Sequence, residues 1–226
     1  MDAFSEPAAV GGPVLLDFDG VLVDASPCWN RAIGAMFARY GHDYNDAHRA
    51  LLIGRHPEAV GALLAVMIGR PELAAGLSRE AMSRGLDEVS RGVMCMPGAF
   101  DLVRGLQGRR ALAVASNTPR PVVERVLEHA GLRDAFSFVV GSDDVGRPKP
   151  APDVYVAACQ RLGCSGESAT AIEDSMPGVR SARGAGVYVI GVSTCEAVRS
   201  AADESYTSLY DEQLLTRLMR GRVHSA

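Results

Sequence analysis

The sequence predicts an α/β protein in which a parallel sheet is interrupted by an inserted all-helical segment, and two observations lead to this prediction. From about residue 96 onward, short runs rich in β-branched residues alternate with helical patterns, and helices between strands are the crossovers that a parallel sheet requires. A similar apolar run at residues 14–16 stands apart near the N-terminus, and residues 24–93 carry helical patterns alone. We therefore expect a Rossmann-like core formed by residues 1–23 and 94–226, with a helical domain at 24–93.

The individual elements follow from the patterns in chain order. The run at 14–16 ends abruptly at two carboxylates one residue apart, which is typical of a buried parallel strand that stops at Asp17. Ser26 as N-cap and Pro27 at the first helical position begin a helix, and its apolar face, which includes Trp29, is expected to pack in a core. Three more helices are expected in the insertion, at 45–53, 57–67 and 71–93. The core continues with helices at 99–107, 120–131, 152–162, 177–184 and 211–219, and with four strands at 111–115, 136–140, 169–172 and 187–192.

Composition limits the classes of function. The chain has 226 residues, of which 47% are hydrophobic and 22% charged, with a formal net charge of −4. This balance offers no basic face for a nucleic-acid backbone, and no apolar stretch is long enough to cross a membrane. We expect no secretion signal in the N-terminal residues. The number of cysteines, five, is odd, and their spacing is not that of zinc ligands. We expect a cytoplasmic protein with reduced thiols that is a monomer or a weak homo-oligomer.

Polar residues follow three of the predicted strands at the point where each strand ends. Asp17 and Asp19 follow the first strand, Ser116-Asn117-Thr118 follow the strand at 111–115, and Glu173-Asp174-Ser175 follow the strand at 169–172. The first of these ends alone is equally well explained by a strand that leaves the core through an Asp-Gly turn. Ligands of open parallel sheets bind beyond the carboxyl ends of the strands, so three polar ends indicate a shared site.

Four carboxylates in one site require a positive charge, because they would repel one another if dry and unpaired. Mg²⁺ suits a site made of carboxylates, water and a substrate phosphate. The alternative counter-charge is Lys149, the only lysine among 23 Lys and Arg residues. A chance lysine on the surface is less favoured, because prolines on both sides stiffen its loop and because a compact ammonium does not act as a guanidinium does.

These residue types together suit phosphoryl transfer. Asp17 would be the nucleophile and Asp19 a general acid and base, while a hydroxyl, an ammonium and a cation would hold the phosphate oxygens. Four motifs in the expected order resemble those of the haloacid dehalogenase-like hydrolase superfamily: Asp17-Phe18-Asp19-Gly20-Val21-Leu22-Val23-Asp24, Ser116-Asn117-Thr118-Pro119-Arg120, Lys149-Pro150-Ala151-Pro152-Asp153 and Glu173-Asp174-Ser175-Met176-Pro177-Gly178. The match spans almost the whole predicted core.

The resemblance implies a role for each motif residue. Asp17 would be phosphorylated, and Asp19 would protonate the leaving group and then activate water. Ser116 would bind the transferring phosphoryl group, and Lys149 would steady it against Asp17. Mg²⁺ would be held by the Asp17 carboxylate, the Asp19 backbone carbonyl and Asp174, with Glu173 as a further ligand or behind the ligands.

The resemblance also implies that the insertion at 24–93 is a small cap, similar to that of the β-phosphoglucomutase and phosphoglycolate phosphatase group, which selects the substrate. Asn117 is expected to join Ser116 and Lys149 in substrate binding. Trp29, Arg55 and His56 are the candidates within the cap. An Arg-His pair on the surface explains Arg55 and His56 equally well.

Single residues separate the chemistries of the superfamily. Asp19 argues against dehalogenation, because the dehalogenases lack an acid at that position, and the lysine-free cap argues against the phosphonate hydrolases. A phosphosugar mutase is the main alternative, although its first cap helix carries a histidine where this chain has Trp29, and its cap lysine has no counterpart here. A catalytically silent binding module is disfavoured because all expected catalytic residues are present. We therefore expect a magnesium-dependent phosphatase of a small phosphorylated metabolite.

Overall fold

The computed structural model of the chain describes residues 11–52 and 57–220, and only the backbone of residues 57–59 and 220. The chain divides into two compact units, of which the first contains Met1–Val23 and Cys95–Ala226 and the second contains Asp24–Met94. Within the described residues, no helix combines the length and the apolar composition that a membrane crossing needs.

The first unit is built on a parallel sheet. The strands of the chain are β1 (Val14–Leu16), β2 (Val23–Asp24), β3 (Met94–Cys95), β4 (Leu112–Ala115), β5 (Phe138–Val140), β6 (Thr170–Glu173), β7 (Tyr188–Val192) and β8 (Glu204–Tyr206). Six of them form one sheet in the order β5-β4-β1-β6-β7-β8, and β2 pairs with β3 separately. All neighbours in the large sheet are parallel. The predicted α/β class is therefore confirmed.

Strand β1 lies at the centre of the sheet, which explains its uniformly apolar sequence. Val14, Leu15 and Leu16 are completely buried, because a parallel sheet is covered on both faces. The helices of this unit are α5 (Ala99–Leu106), α6 (Arg120–His129), α7 (Asp153–Leu162), α8 (Met176–Gly184), α9 (Glu196–Ala201) and α10 (Glu212–Arg220). Helices α7 and α8 contribute Tyr155 and Val179 to a hydrophobic cluster that also contains Leu15.

The second unit is helical, with α1 (Ser26–Arg39), α2 (Asp46–Leu52), α3 (Pro57–Met67) and α4 (Ala74–Arg91). Its core contains Phe37 of α1, Leu64 of α3 and Leu77 of α4. The predicted N-cap at Ser26 is wrong by one residue, since the cap position is Ala25. The Ser26 N–H instead donates to Asp24 Oδ1 at 3.0 Å, so an aspartate satisfies one of the free amides at this helix start.

The sequence patterns missed helix α9 and strand β8 of the first unit, and they also missed the short paired strands β2 and β3. Strand β8 is Glu204-Ser205-Tyr206, an edge strand in which none of the three residues is buried. It therefore lacks the apolar run by which the central strands were predicted. Helix α9 has only six residues, which is too short for a helical period to stand out.

Candidate active site

The sheet register brings the polar strand ends together. Leu16, the last residue of β1, lies opposite Val114 of β4 and Ile172 of β6. Asp17 therefore leaves the sheet between the ends of two neighbouring strands, and its N–H donates to Ile172 O at 3.0 Å. Ser116 follows β4 directly, and Glu173 is the last residue of β6. The structure thus brings Asp17, Ser116 and Glu173 together where the carboxyl ends of β1, β4 and β6 meet, as the sequence predicts.

The turn after Asp17 requires glycine for two reasons. Gly20 has a φ of +86°, a conformation that other residues rarely adopt. A Cβ at this position would also lie 2.0 Å from Asp174 Oδ2. The turn is closed by the Gly20 N–H, which donates to Val23 O at 2.7 Å, and Asp19 forms an isolated bridge with Val23. The turn from Asp17 to Gly20 therefore lies directly against Asp174.

Lys149 connects two carboxylates inside the protein. Its side chain is 3% exposed, and Nζ lies 2.7 Å from Asp17 Oδ1 and 2.6 Å from Glu173 Oε1. Burial lowers the pKa of Lys149, but the two carboxylates outweigh this effect and raise it. Lys149 is therefore a buried ammonium ion, and the alternative of a chance surface lysine is wrong.

Tyr155 of α7 completes this buried cluster and was missed by sequence reasoning. Its hydroxyl donates to Glu173 Oε1 at 2.6 Å, and Lys149 Nζ lies 4.9 Å from the centre of its ring. Burial, followed by the charge of Glu173, raises the pKa of Tyr155 well above its usual value, so the hydroxyl remains a donor. One feature of the sequence could have indicated it: Tyr155 lies six residues after Lys149, at the start of a helix with a buried face. A buried tyrosine hydroxyl needs a hydrogen-bond partner, and the nearby site could supply one.

The buried cluster does not fully stabilise the ionised forms of Glu173 and Asp174. Burial, and then the Asp17 carboxylate, raise the pKa of Glu173 to about 7, although Lys149 and Tyr155 act in the opposite direction. Burial, and then the carboxylates of Asp17, Glu173 and Asp19, raise the pKa of Asp174 to about 8. One ammonium ion is therefore insufficient for these carboxylates.

The donor set fits a hard cation. Oxygen atoms of Asp17, Glu173 and Asp174 lie within 4.8 Å of one another. Among the described residues, Asp174 Oδ1 is a buried side-chain oxygen that accepts no hydrogen bond. Carboxylate oxygens that are close together and incompletely satisfied suit Mg²⁺. The side chain of Asp19 is not part of this group, and its predicted contribution of a backbone carbonyl stays a prediction.

Ser116 and Asn117 are both close to the cluster but differ in their contacts. Ser116 is buried, and its Oγ accepts the Thr118 N–H at 2.9 Å. Asn117 Oδ1 accepts the Lys149 N–H at 2.7 Å, and Asn117 Nδ2 donates to Lys149 O at 3.2 Å. Both ends of the Asn117 amide therefore hold the backbone of Lys149, whose peptide bond to Pro150 is cis.

Three candidate substrate-binding residues belong to the second unit, and the structure describes only one of them. Trp29 is half-buried, and its indole covers Gly85 of α4, where a Cβ would lie 2.0 Å from the ring. This contact accounts for the core packing that the sequence predicts for Trp29. Arg55 and His56 lie outside the described residues.

Comparison with known proteins identifies the family. Residues 14–186 match the haloacid dehalogenase-like hydrolases. The chain belongs to this family. The four motifs all lie within the matched residues, so the resemblance seen in the sequence is confirmed.

The relatives include phosphatases. The chain is 29% identical to fructose-1-phosphate phosphatase YqaB of Escherichia coli over 184 residues, which cover 79% of this chain and 95% of the relative. It is also 29% identical to the bifunctional riboflavin kinase/FMN phosphatase of Arabidopsis thaliana, but it spans only about half of that protein, 54%. The crystal structure of CbbY from Rhodobacter sphaeroides in complex with phosphate has a TM-score of 0.69 and 28% identity, covering 88% of this chain and 95% of that one. The predicted enzyme class, a phosphoric monoester hydrolase, is confirmed.

Proposed function

We propose that this hydrolase is a magnesium-dependent phosphatase of a small phosphorylated sugar, and that it acts through a phosphoaspartate at Asp17. The observation that carries the proposal is the cluster at the sheet edge, in which a buried lysine and an incompletely neutralised carboxylate set flank Asp17. The relative named as a fructose-1-phosphate phosphatase supports the substrate class.

Each residue has a role in this proposal. The Asp17 carboxylate attacks phosphorus, and Asp19 donates a proton to the leaving oxygen of the sugar. Asp19, now ionised, then takes a proton from the water that hydrolyses the acyl phosphate. Lys149 and the Ser116 hydroxyl hold phosphoryl oxygens, and Lys149 also offsets the charge of Asp17. Asn117 binds the backbone of Lys149 and acts as a positioning residue.

The carboxylates of Asp17 and Asp174 and the backbone carbonyl of Asp19 are the proposed magnesium ligands, with Glu173 as a fourth ligand or as a support. When bound, Mg²⁺ would supply positive charge to the phosphoryl oxygens. Asp174 is the residue with the clearest need for it, since its Oδ1 is buried without a hydrogen bond among the described residues.

The helical unit is proposed to be the cap that selects the substrate, with Trp29, Arg55 and His56 as its contributing residues. A phosphosugar mutase remains the second candidate, because mutases share the family and the motifs. The absence of lysine from residues 24–93 and the presence of Trp29 favour hydrolysis.

The test is phosphate release from a panel of sugar phosphates that includes fructose 1-phosphate and glucose 1-phosphate, with magnesium and with a chelator. We expect magnesium-dependent release from at least one of them. Conversion of glucose 1-phosphate to glucose 6-phosphate with little free phosphate would instead identify a mutase. Full activity in the chelator would contradict the magnesium site.

A further inference from the structure

Helix α7 ends in a turn that brings two cysteines together. Gly163, just after the helix, has φ 65° and ψ 31°. The Gly163 N–H donates to Gln160 O and the Cys164 N–H donates to Cys159 O, both at 3.1 Å. These two bonds define a Schellman motif, which places the residue after the glycine against the residue one turn back in the helix. Here both residues are cysteine.

The two thiols differ in their access to solvent. Cys159 is 5% exposed, and the partly buried Cys164 packs against the same hydrophobic cluster. Burial, and then the neighbouring Cys164 thiol, raise the pKa of the Cys159 thiol to about 12. Cys159 is therefore protonated at neutral pH, and Cys164 is the thiol that a reagent in solution meets first.

The other three cysteines provide internal comparisons. All five lie in the described part of the chain and none is in a disulfide. Cys95 and Cys195 are exposed. Cys28 is buried, and Arg31 Nη2 lies 3.2 Å from its sulfur. Cys159 and Cys164 are thus the pair in which one thiol can reach the other.

We propose that Cys159 and Cys164 form a dithiol site that a small disulfide oxidant closes into an intramolecular disulfide. The Cys164 thiolate attacks one sulfur of the oxidant, forms a mixed disulfide and releases one thiolate. Cys159 then gives up its proton to solvent and attacks the Cys164 sulfur, which releases the second thiolate. The protein loses two hydrogens, and the oxidant is reduced to two thiols.

The position of Cys164 favours closure. It lies after the glycine that ends α7, outside any helix or strand, so its side chain can turn toward Cys159 without breaking helical hydrogen bonds. The high pKa of Cys159 slows the second step, but the proximity of the two groups compensates, because an intramolecular attack needs no encounter.

The test is reaction of the native full-length chain with dithiobis(nitrobenzoate), followed by intact and peptide mass spectrometry. Cys95 and Cys195 should each retain one aryl group. Cys159 and Cys164 should retain none and should appear as a cross-linked peptide, with two equivalents of thionitrobenzoate released for this pair. An aryl group retained on Cys164 with Cys159 still a free thiol would overturn the proposal.

Three variants serve as controls. In Cys159→Ala, Cys164 has no partner and should retain an aryl group, so the protein should carry one more label than the wild type. In Cys164→Ser, Cys159 should remain unreacted because it is buried. Cys95→Ser should lose one label and form the disulfide as before. Equal labelling of the wild type and Cys159→Ala would show that Cys159 does not displace the aryl group from Cys164, and would overturn the proposal. Cys164→Ser alters the less buried position, so it still tests the proposal if Cys159→Ala does not fold.

Discussion

Glu173 and Asp174 are adjacent carboxylates at the end of β6, yet their surroundings are opposite. Glu173 is completely buried, and its Oε1 accepts hydrogen bonds from both Lys149 and Tyr155 at 2.6 Å. Asp174 lies against the turn at Gly20, and its Oδ1 accepts no hydrogen bond among the described residues. The first carboxylate is thus held by the protein itself, whereas the second has one buried oxygen that the described residues leave without a hydrogen bond.

The difference indicates that the two sides of the site have different functions. Asp17 lies between the two sides, since it accepts from Lys149 and also raises the pKa of Asp174. We call the side with Glu173, Lys149 and Tyr155 the lysine side; its hydrogen bonds are made by the protein itself, so substitutions there should lower the stability of the metal-free protein. The side with Asp174 should respond to magnesium. Substitutions on each side test this division.

Asp17→Asn should have the largest effect, because an amide cannot serve as the attacking carboxylate. We expect turnover to fall by at least about 1000-fold, which corresponds to about 4 kcal/mol in the barrier, while the fold is kept. Phosphate release and circular dichroism measure the two quantities. Asp101→Asn, in the first turn of α5, is the control and should retain full activity. A residual rate above a tenth of the wild type would exclude Asp17 as the nucleophile.

Lys149→Met should disrupt the lysine side and destabilise the fold. It leaves Asp17 and Glu173 buried without their cation, and removal of one partner from a buried ion pair typically costs about 3–5 kcal/mol. Urea unfolding without magnesium measures the loss. Arg147→Met is the matched control, because the Arg147 side chain is 72% exposed and its pair with Asp153 should contribute about 1 kcal/mol or less. Equal losses in the two variants would contradict a special role for Lys149.

The sequence was sufficient for the main features of the fold and for the residues at the sheet edge. The central strands are buried on both faces, so their apolar runs and polar ends are visible in the sequence. Edge strand β8 has no such run and was missed. The N-cap of α1 was misplaced by one residue because the observed cap residue is Ala25, which is not a preferred capping type, whereas the neighbouring Ser26 is.

The partners within the site were harder to predict, because hydrogen bonds between distant residues leave no local pattern. Asn117 was predicted to bind substrate, but its amide holds the backbone of Lys149, 32 residues away. In the sequence, Tyr155 cannot be distinguished from the other residues on the apolar face of α7. Its role is visible only from its hydrogen bond to Glu173. Residue types therefore identified the polar groups at the strand ends and Lys149 but not Tyr155, and only the three-dimensional structure assigned their partners.

Asp174→Asn should sharpen the comparison through the dependence of stability on pH. Without metal, Asp174 keeps its proton in the folded chain up to about pH 8, whereas an unfolded aspartate loses it near 3.9. The folded state therefore binds more protons between these values, and its stability falls as pH rises. The amide removes this penalty, so at pH 8 the metal-free variant should be more stable than the wild type by several kcal/mol, because a difference of about four pKa units corresponds to about 5 kcal/mol.

Magnesium should reverse the order of the two proteins. It stabilises a folded chain that binds it, so the melting temperature of the wild type should rise with magnesium and that of Asp174→Asn should not. Asp134→Asn, an exposed position, is the control and should follow the wild type. An equal response of the wild type and Asp174→Asn to magnesium would place the metal elsewhere.

Tyr155→Phe should have the smallest effect on stability, and it tests the lysine side alone. It keeps the ring beneath Lys149 and removes the hydroxyl that donates to Glu173 at 2.6 Å, so Glu173 keeps only Lys149 as a partner for Oε1. The loss of a buried hydrogen bond to a charged group should lower stability by about 1–2 kcal/mol. Because Tyr155 acts on Glu173 and not on substrate, kcat should fall more than KM changes, and the magnesium-induced rise in melting temperature should persist. Tyr210→Phe, at a position 63% exposed, is the matched control and should change neither quantity. If Tyr155→Phe abolished the magnesium response, Glu173 would belong to the metal-binding side, and the two carboxylates would act as one unit.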